Sequence, residues 1–220
     1  MFDNIAYNYD SINNIMTFGL HNKIKRDAIS LLPNKGYGKI IDLCTGTGDI
    51  ALLLANRFPD SRILAVDFSS KMLEIARNKI GMKYNKDNQF DITLEKSNVM
   101  SLPYDQNIFD LATMFFGMRN LPNVKKAVEG IYDILKPDGL FLVVDIVRND
   151  ENDLINTYFD KYVPRIGSFF SRDKSAYKYL AQSRETYPSH DGLMRILQKH
   201  KFRIIKRTKP HKTSHPSGRS

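Results

Sequence analysis

Asp42-Leu-Cys-Thr-Gly-Thr-Gly-Asp49 connects a predicted strand to a predicted helix. The β-rich run Lys39–Leu43 precedes it, and residues Ile50–Arg57 follow it with the apolar spacing of a helix. A strand that passes through a glycine turn into a helix typically opens an α/β sheet, which binds its ligand at the carboxyl ends of the strands. The turn therefore predicts an α/β domain with a ligand site beside these glycines.

The same alternation continues toward the C-terminus. Further strands are predicted at Arg62–Val66, Ile92–Glu95, Phe109–Phe115 and Leu140–Val144, and further helices at Ser70–Ile80 and Val124–Leu135. Lys136-Pro-Asp-Gly139 is predicted to end the last of these helices and to turn into the last strand. Apolar strands separated by helices are typical of a parallel sheet covered on both faces. We predict a doubly wound, mostly parallel, Rossmann-like sheet.

The rest of the chain is predicted to complete one domain, residues 1–207. Residues 1–32 form an N-terminal helical cap, 39–147 the core, 152–200 a mostly helical segment with the last helix, and 208–220 a disordered basic tail. Aromatic and apolar residues recur every three or four positions between Ile155 and Phe170. They fit a helix packed on the domain or, alternatively, the wall of a pocket for a large apolar ligand.

Charge is distributed unevenly along the 220 residues. The net charge is +9, and residues 192–220 hold nine of the 33 Lys and Arg residues and none of the 24 Asp and Glu residues. The main body is therefore neutral, which argues against a basic groove for nucleic acid. No apolar run approaches the roughly 18 residues of a membrane span, and the chain shows no export signal, so we expect it in the cytoplasm. Cys44, the single cysteine, permits no internal disulfide.

The ligand of the glycine turn is not decided by spacing alone. Gly46, Gly48 and Ala51 also satisfy the loose dinucleotide fingerprint, and Asp67 ends the second strand, where a carboxylate holds ribose hydroxyls in either class. Charge discriminates better, because Asp42 and Asp49 flank the glycines and disfavour a diphosphate. They suit the ammonium and sulfonium groups of S-adenosyl-L-methionine, which we predict as the co-substrate. Asn98, just past the third strand, is placed to meet the adenine edge.

Several further stretches resemble one family. They are Phe2–Asp10, Asn13–His21, Phe116-Gly-Met-Arg-Asn120, Leu135–Gly139, Pro164–Gly167 and Ser175–Ser183. With the glycine turn, they are similar to the ubiquinone/menaquinone biosynthesis C-methyltransferases, which are class I S-adenosylmethionine-dependent enzymes. The resemblance implies a Rossmann-like fold of the seven-stranded type and a polyprenylated quinol substrate methylated on a ring carbon, either a demethylmenaquinol or a benzoquinol. It also implies that 152–200 includes a substrate-side insertion.

The resemblance carries over to individual residues. It implies that Thr47, Asp67, Asn98 and Val99 bind S-adenosylmethionine, and we add Asp42, Gly46, Gly48 and Phe115 to the predicted cofactor residues. One departure stands out, because relatives end in a strand that inserts antiparallel beside strand five. After Phe202-Arg-Ile-Ile205 nothing matches it. That last strand is expected to be missing here, which leaves open a catalytically inactive cofactor-binding subunit.

Candidate catalytic residues follow the fourth and fifth strands. A hydroquinone carbon becomes nucleophilic as its hydroxyl is deprotonated, so the site needs a group that favours a phenolate. Arg119 could stabilise this oxyanion or polarise a water, or it could instead tie strand four to a neighbouring carboxylate. Asp145 could accept the phenolic proton, and Tyr177 and His21 are further candidates. Cys44 is interpreted as a packing residue.

The predicted partners follow from the substrate. A polyprenyl tail partitions into lipid, so we expect peripheral contact with a membrane and no nucleic-acid partner; a homodimer is left open. No His, Cys or Asp cluster has metal-ligand spacing, so no metal is predicted. Two other interpretations remain, a methyltransferase for another small aromatic or lipophilic acceptor and, more remotely, a nucleic-acid methyltransferase.

Overall fold

The computed structural model describes residues 6, 19–83, 90–145 and 187–206. Its helices are α1 (Leu20–Ser30), α2 (Asp49–Arg57), α3 (Ser70–Lys83), α4 (Val124–Ile134) and α5 (His190–Lys199). Its strands are β1 (Lys39–Leu43), β2 (Arg62–Asp67), β3 (Ile92–Lys96), β4 (Phe109–Phe115) and β5 (Leu135–Val144), and a 3₁₀ turn covers Met118–Asn120.

The five strands form one parallel sheet in the order β3-β2-β1-β4-β5. From β1 the chain builds outward to β2 and β3, then returns to place β4 on the other side of β1. This reversal creates the crevice in which doubly wound sheets bind ligands, between the carboxyl ends of β1 and β4. The predicted fold class is confirmed.

Burial on both faces explains why these runs form central strands. Ile41 and Leu43 point to one face, where they join a cluster with side chains of α4 and α5. Ile40 and Leu111 join a second cluster with side chains of α1 and α2. Both faces of β1 and β4 are therefore covered, as expected for central strands of a parallel sheet, although Asp42 and Asp110 interrupt their apolar runs.

Two predicted boundaries are wrong by more than one residue. The helix α3 runs on to Lys83 instead of ending at Ile80, and β5 begins at Leu135 instead of Leu140. Leu135 pairs with Phe109, whereas Leu140 pairs with Leu111, so the residues between them form an irregularity in the strand. The predicted turn at 136–139 corresponds to this bulge in β5, where Asp138 has a φ of 60°.

Some predicted segments lie largely outside the described residues. Of the N-terminal cap, Ala6 and α1 are described; of the segment 152–200, the described part contains α5; and the tail 208–220 is not described. Within the described ranges no antiparallel strand pairs with β5, and residues 202–206 form no strand there.

Candidate active site

The turn after β1 and the turn after β4 are in direct contact. A Cβ placed on Gly117 would lie 2.7 Å from Cys44 Cβ and 3.0 Å from its Sγ, so only glycine fits at this position. Cys44 and Phe116 both have a φ of 56°, a left-handed conformation that costs a side-chain-bearing residue free energy. Such strained backbone clusters at functional sites, and here it marks the crevice at the switch point.

The glycine turn has an open side and a packed side. Gly46 has a φ of 57°, and a Cβ at this residue would meet no atom within 4 Å, so its backbone faces open space. Gly48 has a φ of 81°, and a Cβ there would lie 3.1 Å from Ala76 Cβ on α3. Gly46 therefore offers backbone for close approach of a ligand, while Gly48 lets α3 pack against the start of α2.

Asp67 holds the glycine turn from the end of β2. Its Oδ2 accepts a hydrogen bond from Gly46 N at 2.9 Å, and its Oδ1 accepts one from Ser69 N at 2.8 Å. A carboxylate accepts hydrogen bonds, as ribose hydroxyls require of a partner. The structure thus places Asp67 beside the turn, as its assignment to the cofactor requires.

Asp42 lies inside the fold rather than on the open side of the turn. Its side chain is buried, and it accepts hydrogen bonds from Thr45 Oγ1 at 2.6 Å and from Thr113 Oγ1 at 2.7 Å. Burial raises the pKa of this carboxyl to about 7, although the two threonine hydroxyls oppose the shift. Asp42 is therefore close to half-ionised at neutral pH, and it ties β1 to both β4 and the turn.

Asp49 does not present the unbalanced negative charge that the sequence argument assumed. It pairs with Lys25 Nζ at 2.8 Å and with Lys79 Nζ at 2.7 Å, and the same Lys79 donates to Thr47 Oγ1 at 3.0 Å. Burial works against ionisation, but the two lysines prevail and hold the pKa of Asp49 below its usual range. The inference that two aspartates repel a diphosphate is therefore wrong for Asp49, because two cations already neutralise it.

The titration of Asp42 gives a testable pH dependence. With the native pKa near 7 and an ordinary unfolded value near 4, the unfolded chain releases this proton first as the pH rises. The contribution of protonated Asp42 to the stability of the fold is therefore fully present below about pH 4 and is lost as the pH rises through 7. We expect the free energy of unfolding of wild type, measured with urea at pH 4.5, 6 and 7.5, to fall over this range by more than about 1 kcal/mol relative to that of Asp42→Asn.

The matched control for this experiment is an exposed carboxylate on α1. Asp27 is 61% exposed, and Asp27→Asn should follow the wild-type pH profile. Parallel profiles for wild type and Asp42→Asn would show that Asp42 ionises normally.

The side of the crevice where we expect the adenine is bordered by residues after β2 and β3. Asn98 is exposed, and its Oδ1 accepts a hydrogen bond from Met100 N at 2.9 Å, so its carbonyl oxygen shapes the turn. Val99 is buried beside it. Phe68, directly after Asp67, is 71% exposed, with Lys96 Nζ lying 5.9 Å from its ring centroid. Sequence reasoning missed Phe68, although its position after the carboxylate was a signal.

Phe115 is placed differently from the other predicted cofactor residues. It is buried at the end of β4 in the cluster shared with α1 and α2, and its ring meets that of Phe116 edge to face at 6.3 Å. Its described contacts are those of a core residue. Its contribution to cofactor binding remains a prediction.

Arg119 and Asp145 form a buried ion pair at the ends of β4 and β5. The Arg119 Nη1 donates to Asp145 Oδ1 at 2.5 Å, and the Arg119 backbone N donates to Asp145 Oδ2 at 2.9 Å. Their side chains are only 5% and 1% exposed. The structure thus brings the two catalytic candidates together and shows the carboxylate partner that the alternative interpretation of Arg119 required.

The remaining candidates divide into described and undescribed residues. Tyr177 lies outside the described residues. His21 is buried on α1, the helix whose Lys25 reaches Asp49. Cys44 packs against the core, and burial followed by the nearby carboxylates raises the pKa of its thiol, which fits the interpretation as a packing residue.

Two buried polar atoms near the ion pair were not singled out by sequence reasoning. Within the described ranges, the Asn120 Oδ1 and the Tyr187 hydroxyl have no hydrogen-bond partner. Asn120 lies in the diagnostic stretch 116–120, so its position was a signal. Tyr187 lies in the segment 152–200, which was predicted as mostly helical, and nothing in the sequence distinguishes it from other aromatic residues there.

Metal-binding groups and membrane-spanning helices can be assessed over the same part of the chain. Among the described residues, no three His, Cys, Asp or Glu side chains are grouped so that they could hold a metal ion. None of the helices in those ranges is both long enough and apolar enough to cross a bilayer.

The chain is similar in sequence to one enzyme family. Residues 1–212 match the ubiE/COQ5 methyltransferase family. A demethylmenaquinone methyltransferase of Chlamydia caviae is 35% identical over 95% of this chain and 89% of its own length. The ubiquinone/menaquinone biosynthesis C-methyltransferase UbiE of Hydrogenovibrio crunogenus is 34% identical over 90% of this chain and 78% of its own length.

Solved structures of low sequence identity share the fold. A SAM-dependent methyltransferase from Thermotoga maritima has a TM-score of 0.63 and 21% identity, covering 92% of this chain and 80% of that one. Phosphoethanolamine N-methyltransferase 2 of Haemonchus contortus, in complex with S-adenosyl-L-methionine, has a TM-score of 0.55 and 18% identity, covering 76% of this chain and 34% of that one.

Proposed function

The chain belongs to the ubiE/COQ5 methyltransferase family, and on that basis we propose that it transfers a methyl group from S-adenosylmethionine to a ring carbon of a polyprenylated quinol. The acceptor is a demethylmenaquinol or a related benzoquinol, which places the reaction in menaquinone or ubiquinone biosynthesis. The observation that carries the proposal is the contact between the glycine turn and the turn that holds Arg119, made through Cys44 and Gly117. It sets a cofactor loop beside a buried cation.

The residues of the crevice fit S-adenosylmethionine. Gly46 exposes backbone on the open side of the turn, Asp67 places a carboxylate beside that turn, and Phe68 presents an exposed aromatic ring one residue further on. Asp42, when ionised, adds negative potential under the turn, which favours a bound ammonium group. Lys25 and Lys79 neutralise Asp49, so the preference for a cationic ligand depends on Asp42 and Asp67 rather than on Asp49.

Phe68 provides a direct test of the adenine side. An exposed ring next to a ribose-binding carboxylate suits stacking on a base, which contributes about 1–3 kcal/mol. We therefore expect Phe68→Ala to weaken S-adenosylhomocysteine binding roughly tenfold in calorimetry. Met82→Ala, at a residue 86% exposed on α3, is the control and should leave the affinity unchanged. Equal affinities for wild type and Phe68→Ala would remove Phe68 from the site.

Arg119 supplies positive charge where the reaction develops negative charge. S-adenosylmethionine carries an electrophilic methyl group, so the protein mainly orients the acceptor and favours its phenolate. A guanidinium stays protonated at all relevant pH values and therefore stabilises an oxyanion instead of accepting a proton itself. We assign this role to Arg119, which follows β4 at the edge where ligands bind.

Asp145 positions Arg119 in this proposal. Both of its oxygens accept hydrogen bonds from Arg119, one from the side chain and one from the backbone. We assign it a first role of fixing the cation and a second role of taking the phenolic proton, directly or through water. Tyr177 remains a proposed participant on the substrate side.

The test is methyl transfer from labelled S-adenosylmethionine by the purified chain, with the quinol kept reduced. Demethylmenaquinol, a benzoquinol precursor and bulk RNA are compared as acceptors. We expect the label on a quinol ring carbon. Transfer to RNA alone would refute the proposal, and cofactor binding without transfer to any acceptor would identify an inactive subunit.

The substrate also suggests contact with a lipid surface. We propose that the chain meets the membrane peripherally, since a polyprenyl tail partitions into the bilayer. Flotation with liposomes at low salt should recover the chain with the vesicles, and complete absence from the lipid fraction would contradict this.

A further inference from the structure

Tyr187 enters the fold just before the last described helix. Ser189 caps α5 by accepting a hydrogen bond from Gly192 N at 3.2 Å, and Pro188 separates this cap from Tyr187. The side chain of Tyr187 belongs to the same core cluster as Leu193 on α5. This cap and packing hold the ring in place, and the residue is only 8% exposed.

The hydroxyl of this buried ring is unsatisfied. Within the described part of the chain, the Tyr187 hydroxyl has no hydrogen-bond partner. A buried polar group left unpaired costs about 1–3 kcal/mol, and phenylalanine would avoid that cost with the same ring. An unpaired buried hydroxyl of this kind calls for an explanation, and a bound ligand that pairs with it is one.

The surroundings of the hydroxyl are those of the proposed reaction. Burial raises the pKa of Tyr187 above its usual range, the nearby Asp145 raises it further, and Arg119 lowers it. The phenol therefore stays neutral and keeps its proton. Tyr187 shares its core cluster with Met118, the residue before Arg119, and the charges of the buried Arg119–Asp145 ion pair act on its hydroxyl.

We propose that the Tyr187 hydroxyl donates a hydrogen bond to a ring oxygen of the acceptor, making Tyr187 a substrate-binding residue. This inference rests on the proposed function, since the acceptor must carry such an oxygen. A neutral phenol is suited to this contact, because it donates to an oxyanion without adding charge. Its ring lies among apolar side chains, and its hydroxyl lies within the electrostatic influence of Arg119, to which we assign the stabilisation of the same oxygen.

Tyr187→Phe removes the hydroxyl and keeps the ring. In anaerobic methyl-transfer assays with a short-chain demethylmenaquinol, we expect kcat/KM for the quinol to fall about 10- to 100-fold, the range for a hydrogen bond to a charged group. Affinity for S-adenosylhomocysteine and the Tm should be unchanged or slightly higher, because the variant buries no unpaired group. Tyr132→Phe, at a partly exposed ring that packs on Phe202, is the matched control and should match wild type.

The outcomes separate this inference from the proposed function. Wild-type kcat/KM in Tyr187→Phe would overturn the role of the hydroxyl while leaving the function intact. A joint loss of Tm and S-adenosylhomocysteine affinity would show a structural role only. If wild type transfers no methyl group, calorimetry with menadione in the presence of S-adenosylhomocysteine decides: weaker binding by Tyr187→Phe supports the contact, and equal or absent binding by both proteins overturns it.

Discussion

Arg119→Met is expected to lower the free energy of unfolding by about 3–5 kcal/mol. The substitution removes the guanidinium but leaves Asp145, whose side chain is 1% exposed, as a buried charge without its ion-pair partner. Removing one member of a buried ion pair costs far more than the pair itself contributes, because the remaining charge cannot be solvated. Urea unfolding of the purified chain at pH 7 measures the loss.

The double variant Arg119→Met/Asp145→Asn tests this explanation. Asparagine is neutral, and its Oδ1 can still accept the hydrogen bond that the backbone N of residue 119 donates to Asp145. We expect it to regain most of the lost stability. Lys23→Met, which breaks a pair with 65% and 61% exposed side chains, is the control and should change stability by less than about 1 kcal/mol. A double variant no more stable than Arg119→Met would contradict the buried-charge explanation.

Methyl transfer by the same double variant separates a catalytic role of the Arg119–Asp145 pair from a purely structural one. If the pair takes part in the reaction, the stabilised variant should remain about 100-fold or more below wild type in kcat, a typical loss for removing one oxyanion-stabilising donor. Its affinity for S-adenosylhomocysteine should be close to that of wild type. Recovery of both stability and kcat would leave Arg119 with a purely structural role.

The parts of this fold that could be predicted from sequence are those set by local pattern. Lys39–Leu43 is a short β-rich run before a glycine turn, and this local pattern needs no distant partner to be recognised as a strand. The bounds of β5 needed tertiary information. Leu135 follows a helical pattern and precedes a proline, and only its pairing with Phe109 shows that the strand begins there.

The sequence predicted where the candidate site lies in the fold, but it did not predict which charged side chains pair with each other there. Asp49 looked like an unbalanced charge, since its partners Lys25 and Lys79 are 24 and 30 residues away. The same distance in sequence hides the Arg119–Asp145 pair, whose members were chosen independently as strand-end residues. Tyr187 was missed for a related reason, because an unsatisfied hydroxyl is a property of the folded surroundings and not of local sequence.

Gly117→Ala is expected to disrupt the contact between the glycine turn and the turn after β4. Gly117 has a φ of −103°, which alanine tolerates, so the effect is steric: the new methyl group would lie 2.7 Å from Cys44 Cβ. Relieving such a contact means moving one turn away from the other. We expect about 1–3 kcal/mol of destabilisation and at least a tenfold weaker affinity for S-adenosylhomocysteine, measured by urea unfolding and calorimetry.

A second substitution should reverse this effect. Cys44→Gly removes the two atoms that the new methyl group would crowd and leaves Met114 Cγ at 3.4 Å, an ordinary contact; glycine also adopts the φ of 56° at position 44 without the cost that a side chain incurs. Gly117→Ala/Cys44→Gly should therefore regain most of the stability and affinity. Gly130→Ala, on α4 with no atom within 4 Å of the new Cβ, is the control and should be neutral or stabilising. If the Cys44 substitution fails to restore cofactor affinity, the contact between the two turns is not what aligns the glycine turn with the Arg119 side of the crevice.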